Sequence, residues 1–137
     1  MQKGITLSHD LAESLRSFVV SELGYYLKDI EDGFKEEERE SMADGDFSVD
    51  YEEERDGYFR DYTLPLIHFI TELFDADEVY IKPSELFAVH AFIDDQLLRC
   101  IRHDKDLDNM IFVRNLADIS VQCIRQHTAN TKDDESK

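Results

Sequence analysis

Apolar residues recur at three- and four-residue spacing in four separate segments of this chain, and that recurrence is the strongest constraint on its fold. Leu11, Leu15, Phe18 and Val19, then Leu23, Tyr26 and Ile30, predict a first long helix over residues 7 to 32. Thr6 or Ser8 is placed to cap it. Periodicity resumes at Tyr58 and Tyr62 and strengthens through Leu66, Phe69, Ile70, Leu73 and Phe74. Pro65 has no N–H to give a helix interior, so Thr63 is expected to cap a fresh helix with the proline in its first turn. Apolar residues nearly all round that segment predict that it is the central helix.

Pro83 and Ser84 open the next segment, where Leu86, Val89, Ile93, Leu97 and Cys100 or Ile101 form one stripe. The last helix, capped by Asp106 or Asp108, is expected to end near His127. It would carry Met110, Val113, Ala117, Val121 and Ile124 on one face, with Leu116, Ile119 and Cys123 beside it. Between the first two segments lies KEEERESMADGDFSVDYEEERDG, residues 35 to 57, which lacks a stripe and contains two glycines. The expected fold is therefore all-α: an irregular bundle of four to five helices with a long acidic loop between the first and second main helices. Residues 1–127 form one domain, residues 128–137 an apolar-free tail expected to be mobile, and EVYI is the one strand-like run.

The start of the chain has no apolar core behind a basic segment, and no apolar run approaches the roughly 18 residues of a membrane span. A cytoplasmic protein is expected. Cys100 and Cys123 sit far from level on consecutive antiparallel helices, on the order of 15 Å apart along the axis, so both are expected to be free thiols.

Charge bounds the partners. With 32 Asp and Glu against 15 Lys and Arg the net charge is −17, which repels nucleic acid and anionic lipid and attracts basic surfaces. The charge is localised: from Asp29 to Asp61 there are 15 acidic and 4 basic residues. Rings are interleaved with it, namely Phe34, Phe47, Tyr51, Tyr58, Phe59 and Tyr62. A merely solubilising loop needs carboxylates without rings, whereas an interface for a basic protein uses rings as anchors and carboxylates for steering.

Motifs for chemistry are sparse. DKDLDNMIFVRN resembles the calcium loop of an EF-hand in Asp104, Asp106 and Asp108, but Asn109 and Asn115 stand where that loop needs glycine and a bidentate glutamate. Calcium binding is not expected. His68 with Glu72 and His90 with Asp94 are helix-spaced pairs, read as histidines hydrogen-bonded to carboxylates, and no metal or other cofactor is assigned. No nucleophile elbow, phosphate-cradling loop, Cys-x-x-Cys or His-Glu-x-x-His occurs, so no catalytic residue is named.

These features point to a non-catalytic binding protein that neutralises a basic nucleic-acid-handling protein. Immunity proteins against bacterial nuclease toxins share its small, acidic, helical character, as do phage-type DNA mimics; a helical adaptor with a peptide or self-association groove is the alternative class. The expected partner-binding residues are Asp44, Asp46, Asp50, Tyr51, Glu52, Glu53, Glu54, Asp56, Tyr58, Phe59 and Asp61.

Overall fold

The computed structural model describes residues 2–45, 50–102 and 110–135, without the side chains of residues 100–102, 110 and 133–135. In chain order it contains β1 (Ile5–Leu7), α1 (His9–Ala43), α2 (Tyr51–Tyr58), α3 (Leu64–Leu73), β2 (Val79–Ile81), α4 (Leu86–Arg102) and α5 (Met110–Glu135). The all-α expectation holds. Among the described residues the one sheet is a two-stranded antiparallel ladder that pairs Ile5 with Ile81 and Leu7 with Val79.

Ser8 caps α1, its hydroxyl accepting from the Leu11 N–H at 3.4 Å. Leu15, Phe18, Val19 and Tyr26 bury one stripe of this helix. The stripe meets α4 and α5 through rings: Phe18 is edge-on to Phe92 of α4 at 5.5 Å and 6.2 Å from Phe112 of α5, and Tyr26 is edge-on to Phe92 at 5.1 Å. Such edge contacts add to the burial of the rings themselves.

The acidic loop is not what the structure contains. Helix α1 runs straight through Gly33 to Ala43, and α2 re-forms by Tyr51, so most of residues 35–57 is helical. The physical reason is propensity: Lys, Glu, Arg and Met are strong helix formers even where no apolar face is buried. A glycine in a solvent-facing turn costs only about 1 kcal/mol. The turn that does stop α1 is Gly45, in the left-handed region at φ 76°, after the Asp44 cap.

Thr63 does not cap a fresh helix. Phe59–Thr63 is a π-helical segment that joins α2 to α3, and Leu64 N–H reaches back to the Phe59 carbonyl. The wider turn lets the helix pass Pro65, which has no N–H for the usual bond. At the far end of α3, Arg16 donates to the carbonyls of Leu73 and Ala76, both at 2.9 Å, and pairs with Glu13. A cation thus covers carbonyls the helix end leaves unpaired.

The central helix is α4 rather than α3. Leu86, Ala88, Val89, Phe92, Ile93 and Gln96 are all buried, with α1, α3 and α5 packed around them. In α5 Leu116, Ile119 and Cys123 are buried while Val121 is exposed, so the buried stripe is the one the sequence puts beside its main face. Helix α5 also continues past His127, and Asn130 is buried. Cys123 is free and buried, and burial pushes its thiol up to about 12. The side chain of Cys100 lies outside the described residues.

Candidate protein-binding surface

Beyond Ile30, α1 leaves the bundle core and forms a helical hairpin with α2. Tyr51 hydroxyl and Ser41 hydroxyl are 2.5 Å apart, and the Tyr58 ring meets Phe34 at 5.8 Å, which makes the pair antiparallel. Arg55 lies between them, 3.8 Å from both the Glu31 and the Glu38 carboxylates and 6.0 Å above the Phe34 ring. Each exposed pair is weak by itself. Together they hold the two helices at one spacing.

The hairpin sorts the residues expected to bind a partner. Glu52, Glu53, Glu54 and Asp56 are exposed along α2, and Asp44 is exposed at the end of α1. Asp50 caps α2, accepting from the Glu53 N–H at 3.1 Å, so its role is first structural. Asp61 is exposed and pairs with Arg60 at 3.1 Å. Tyr51 and Tyr58 turn inward, Tyr51 to Ser41 and Tyr58 to Phe34 and the Tyr26 hydroxyl, whose ionisation is pushed far up by burial first and by Tyr58 second. Phe59 faces outward, 49% exposed. Asp46 lies outside the described residues, as do Asp104, Asp106, Asp108 and Asn109.

Two features were not legible as a site in the sequence. A largely apolar cavity of about 250 Å³ opens between α1, α2 and α3, lined by Leu27, Ile30, Phe34, Tyr58, Phe59 and Ile67, with Glu31 and Arg55 at its polar side. Leu27, Ile30 and Ile67 belong to helical stripes and reveal a cavity only once the π-helical segment fixes how α2 and α3 join. Second, rings line up across four elements: Tyr58 to Tyr62 at 4.9 Å, Tyr62 to Phe87 at 5.6 Å, and Phe87 to His127 at 5.4 Å. Tyr62 and Phe87 are each 38% exposed. The result is an aromatic strip beside a carboxylate-covered hairpin, the layout of an apolar interface centre with a charged rim.

One other cluster has a catalytic look. His90 Nδ1 is 2.8 Å from the Ser120 hydroxyl, which donates to Asp94 Oδ1 at 3.2 Å. Because the single hydroxyl proton goes to the carboxylate, Ser120 accepts from His90, the reverse of a serine activated by a histidine base. Ser120 is moreover 3% exposed, between α4 and α5. The trio cross-links two helices. The other helix-spaced pair is divided, with Glu72 held by Lys82 at 3.1 Å. Among the described residues no three His, Cys, Asp or Glu side chains are grouped to hold a metal ion, and no helix is long and apolar enough to cross a membrane.

No protein family, curated protein or solved structure matches this chain.

Proposed function

We propose that this chain is a non-catalytic, acidic binding protein of the cytoplasm that captures a basic nucleic-acid-handling protein through the α1–α2 hairpin, as an immunity protein blocks a nuclease toxin. The observation that carries the proposal is the exposed Phe59 at the mouth of an apolar cavity within a field of carboxylates from α1 and α2. Nuclease clefts are positive because they hold phosphates, so such a field steers and pairs with them, while the ring and the cavity supply desolvated contact area.

A DNA mimic is the second reading, favoured by the helical frame that now fixes the spacing of Glu36, Glu37, Glu40 and Asp44. The two differ in what the rings do. A mimic acts through its carboxylates, whereas the proposed capture also needs Phe59.

The test neutralises Asp44, Asp46, Asp50, Glu52, Glu53 and Glu54 together as Asn and Gln. Asn at position 50 keeps the cap of α2. The parent chain is expected to capture basic partners in a salt-sensitive way at low ionic strength, and the folded variant to lose that capture, chiefly through slower association. Unchanged capture and association rate at low salt would defeat the proposal.

A further inference from the structure

A second and larger cavity, about 560 Å³, lies between α1 and α4. Its lining includes Tyr26 and Asp29 from α1 and Asp95, Gln96 and Arg99 from α4. The volume is that of an ordinary ligand site. Gln96 is the most deeply buried of these residues, 2% exposed, and its side-chain Oε1 has no hydrogen-bond partner. A buried acceptor left unpaired is costly, so an oxygen in this position is a standing demand for a donor.

The charges say which kind of donor. Arg99 is already held by Glu22 at 3.3 Å and Asp29 at 4.0 Å, and it stacks on the Tyr25 ring at 4.1 Å. Among the described residues Asp95 on α4 is held in no such ion pair. Its carboxyl is pushed above the ordinary range by burial first and by Asp94 second, with His90 pulling the other way. With the Arg99 charge met by Glu22 and Asp29, the Asp95 carboxylate and the uncharged Gln96 oxygen are the acceptors the cavity offers to a cation. A guanidinium suits such a set better than an ammonium, because its five N–H donors form a planar fork that reaches separate acceptors at once.

We propose that this cavity takes the guanidinium of an arginine side chain presented by the basic partner, with Asp95 and Gln96 as its acceptors. The proposal rests on the capture function put forward above and names the residue type that anchors it. Arg99 shapes the site and does not compete for it, since its own guanidinium is occupied by Glu22 and Asp29.

The experiment needs only the full chain and small probes. N-acetyl-arginine methylamide, its neutral citrulline counterpart, N-acetyl-lysine methylamide and spermidine are titrated while the Gln96 side-chain amide is followed by proton–nitrogen correlation spectra. The arginine probe is expected to give saturable shifts at Gln96, the lysine probe and spermidine weaker ones, and citrulline none. Asp95→Asn, at an exposed position, should weaken the arginine response about tenfold, the size of one lost charged hydrogen bond. Gln96→Met, read at the backbone amides of Asp95 and Arg99 because the reporter side chain is gone, should abolish the arginine response while raising stability, since the unpaired oxygen is removed. No saturable shift at Gln96, equal binding of citrulline, tighter binding of spermidine, or an unchanged Asp95→Asn variant each overturns the proposal. Failure here leaves capture through the hairpin standing. Conversely, arginine binding that persists while the neutralised hairpin still captures partners would defeat the hairpin and leave the cavity standing.

Discussion

The side-chain amide of Asn130 closes a two-bond ring on the backbone of Lys3, accepting from its N–H at 3.0 Å and donating to its carbonyl at 2.8 Å. It does for the residues before β1 what a third strand would do, and Gln126 braces the same oxygen from one turn back at 3.1 Å. Asn130→Ala leaves both Lys3 backbone groups without their partner and is expected to cost roughly 1–3 kcal/mol. Asn130→Asp keeps the acceptor and loses the donor, so it should destabilise by a similar amount. Urea midpoints measure both, and an unchanged midpoint in either variant would show that the last turns of α5 contribute nothing.

Gly33 and Gly45 make opposite predictions that separate helix from loop. Gly33 lies in the interior of α1 with open space around its Cα, so Gly33→Ala should stabilise by about 0.5–1 kcal/mol. Gly45 has φ 76°, where a side chain is strained, and Gly45→Ala should destabilise by about 1 kcal/mol or more. Thermal melts of the two variants decide it. Destabilisation at Gly33 would restore the loop.

The core stripes of α1 and α4 could be read from apolar spacing because each faces a buried neighbour. The stretch KEEERESM could not, since its helix is held by intrinsic propensity and by Arg55 on the facing helix, and neither leaves an apolar period. Nor could β1, three residues long, whose partner Ile81 lies 76 positions away from Ile5 and whose preceding Gly4 is required because a Cβ there would meet the Ile81 carbonyl at 2.0 Å. Of the candidate surface, the carboxylates and rings were visible as composition. Which rings face inward was not: Tyr51 and Tyr58 are turned by contacts to Ser41 and Tyr26 that no local pattern encodes.

Burial of Glu85 raises its ionisation above the ordinary 4.5, despite the Lys82 N–H that its Oε1 accepts at 2.9 Å. A carboxyl raised on folding favours the native state while protonated. Its contribution is fully present below the unfolded value and is lost as pH rises through the folded one. Glu85→Gln keeps an acceptor for the Lys82 N–H and removes the buried charge. It should therefore be more stable than the parent at neutral pH and show a flatter dependence of unfolding free energy on pH across the carboxylate range. A variant less stable at pH 7 would show that the charge itself is needed.

The Cys123 thiol, buried and pushed up to about 12, is almost entirely protonated at neutral pH. Native protein should label there slowly with a thiol reagent and rapidly after denaturation. Peptide mapping assigns the site. Fast native labelling of Cys123 would mean that α4 and α5 separate readily.

Phe59 and Tyr58 are neighbours with opposite expected signatures. Phe59→Ala removes an exposed ring and should change stability by less than about 0.5 kcal/mol while costing roughly 2 kcal/mol of partner binding. Tyr58→Ala breaks contacts to Phe34, Tyr62 and Tyr26 and should cost about 2–4 kcal/mol of stability. Calorimetry of binding beside chemical denaturation checks both. Should Phe59→Ala leave affinity intact and the neutralised hairpin lose it, the mimic reading wins.

The π-helical segment Phe59–Thr63 makes the aim of the acidic face a matter of counting. An α-helix advances about 100° per residue, so shortening the segment by one residue would re-close a regular helix and turn everything upstream by about that angle. Glu52, Glu53 and Asp56 would keep their chemistry and point along a different bearing, and Tyr58 would swing out of line with Tyr62. The compass heading of the hairpin is thus written in residue number at this joint rather than in any side chain upstream of it.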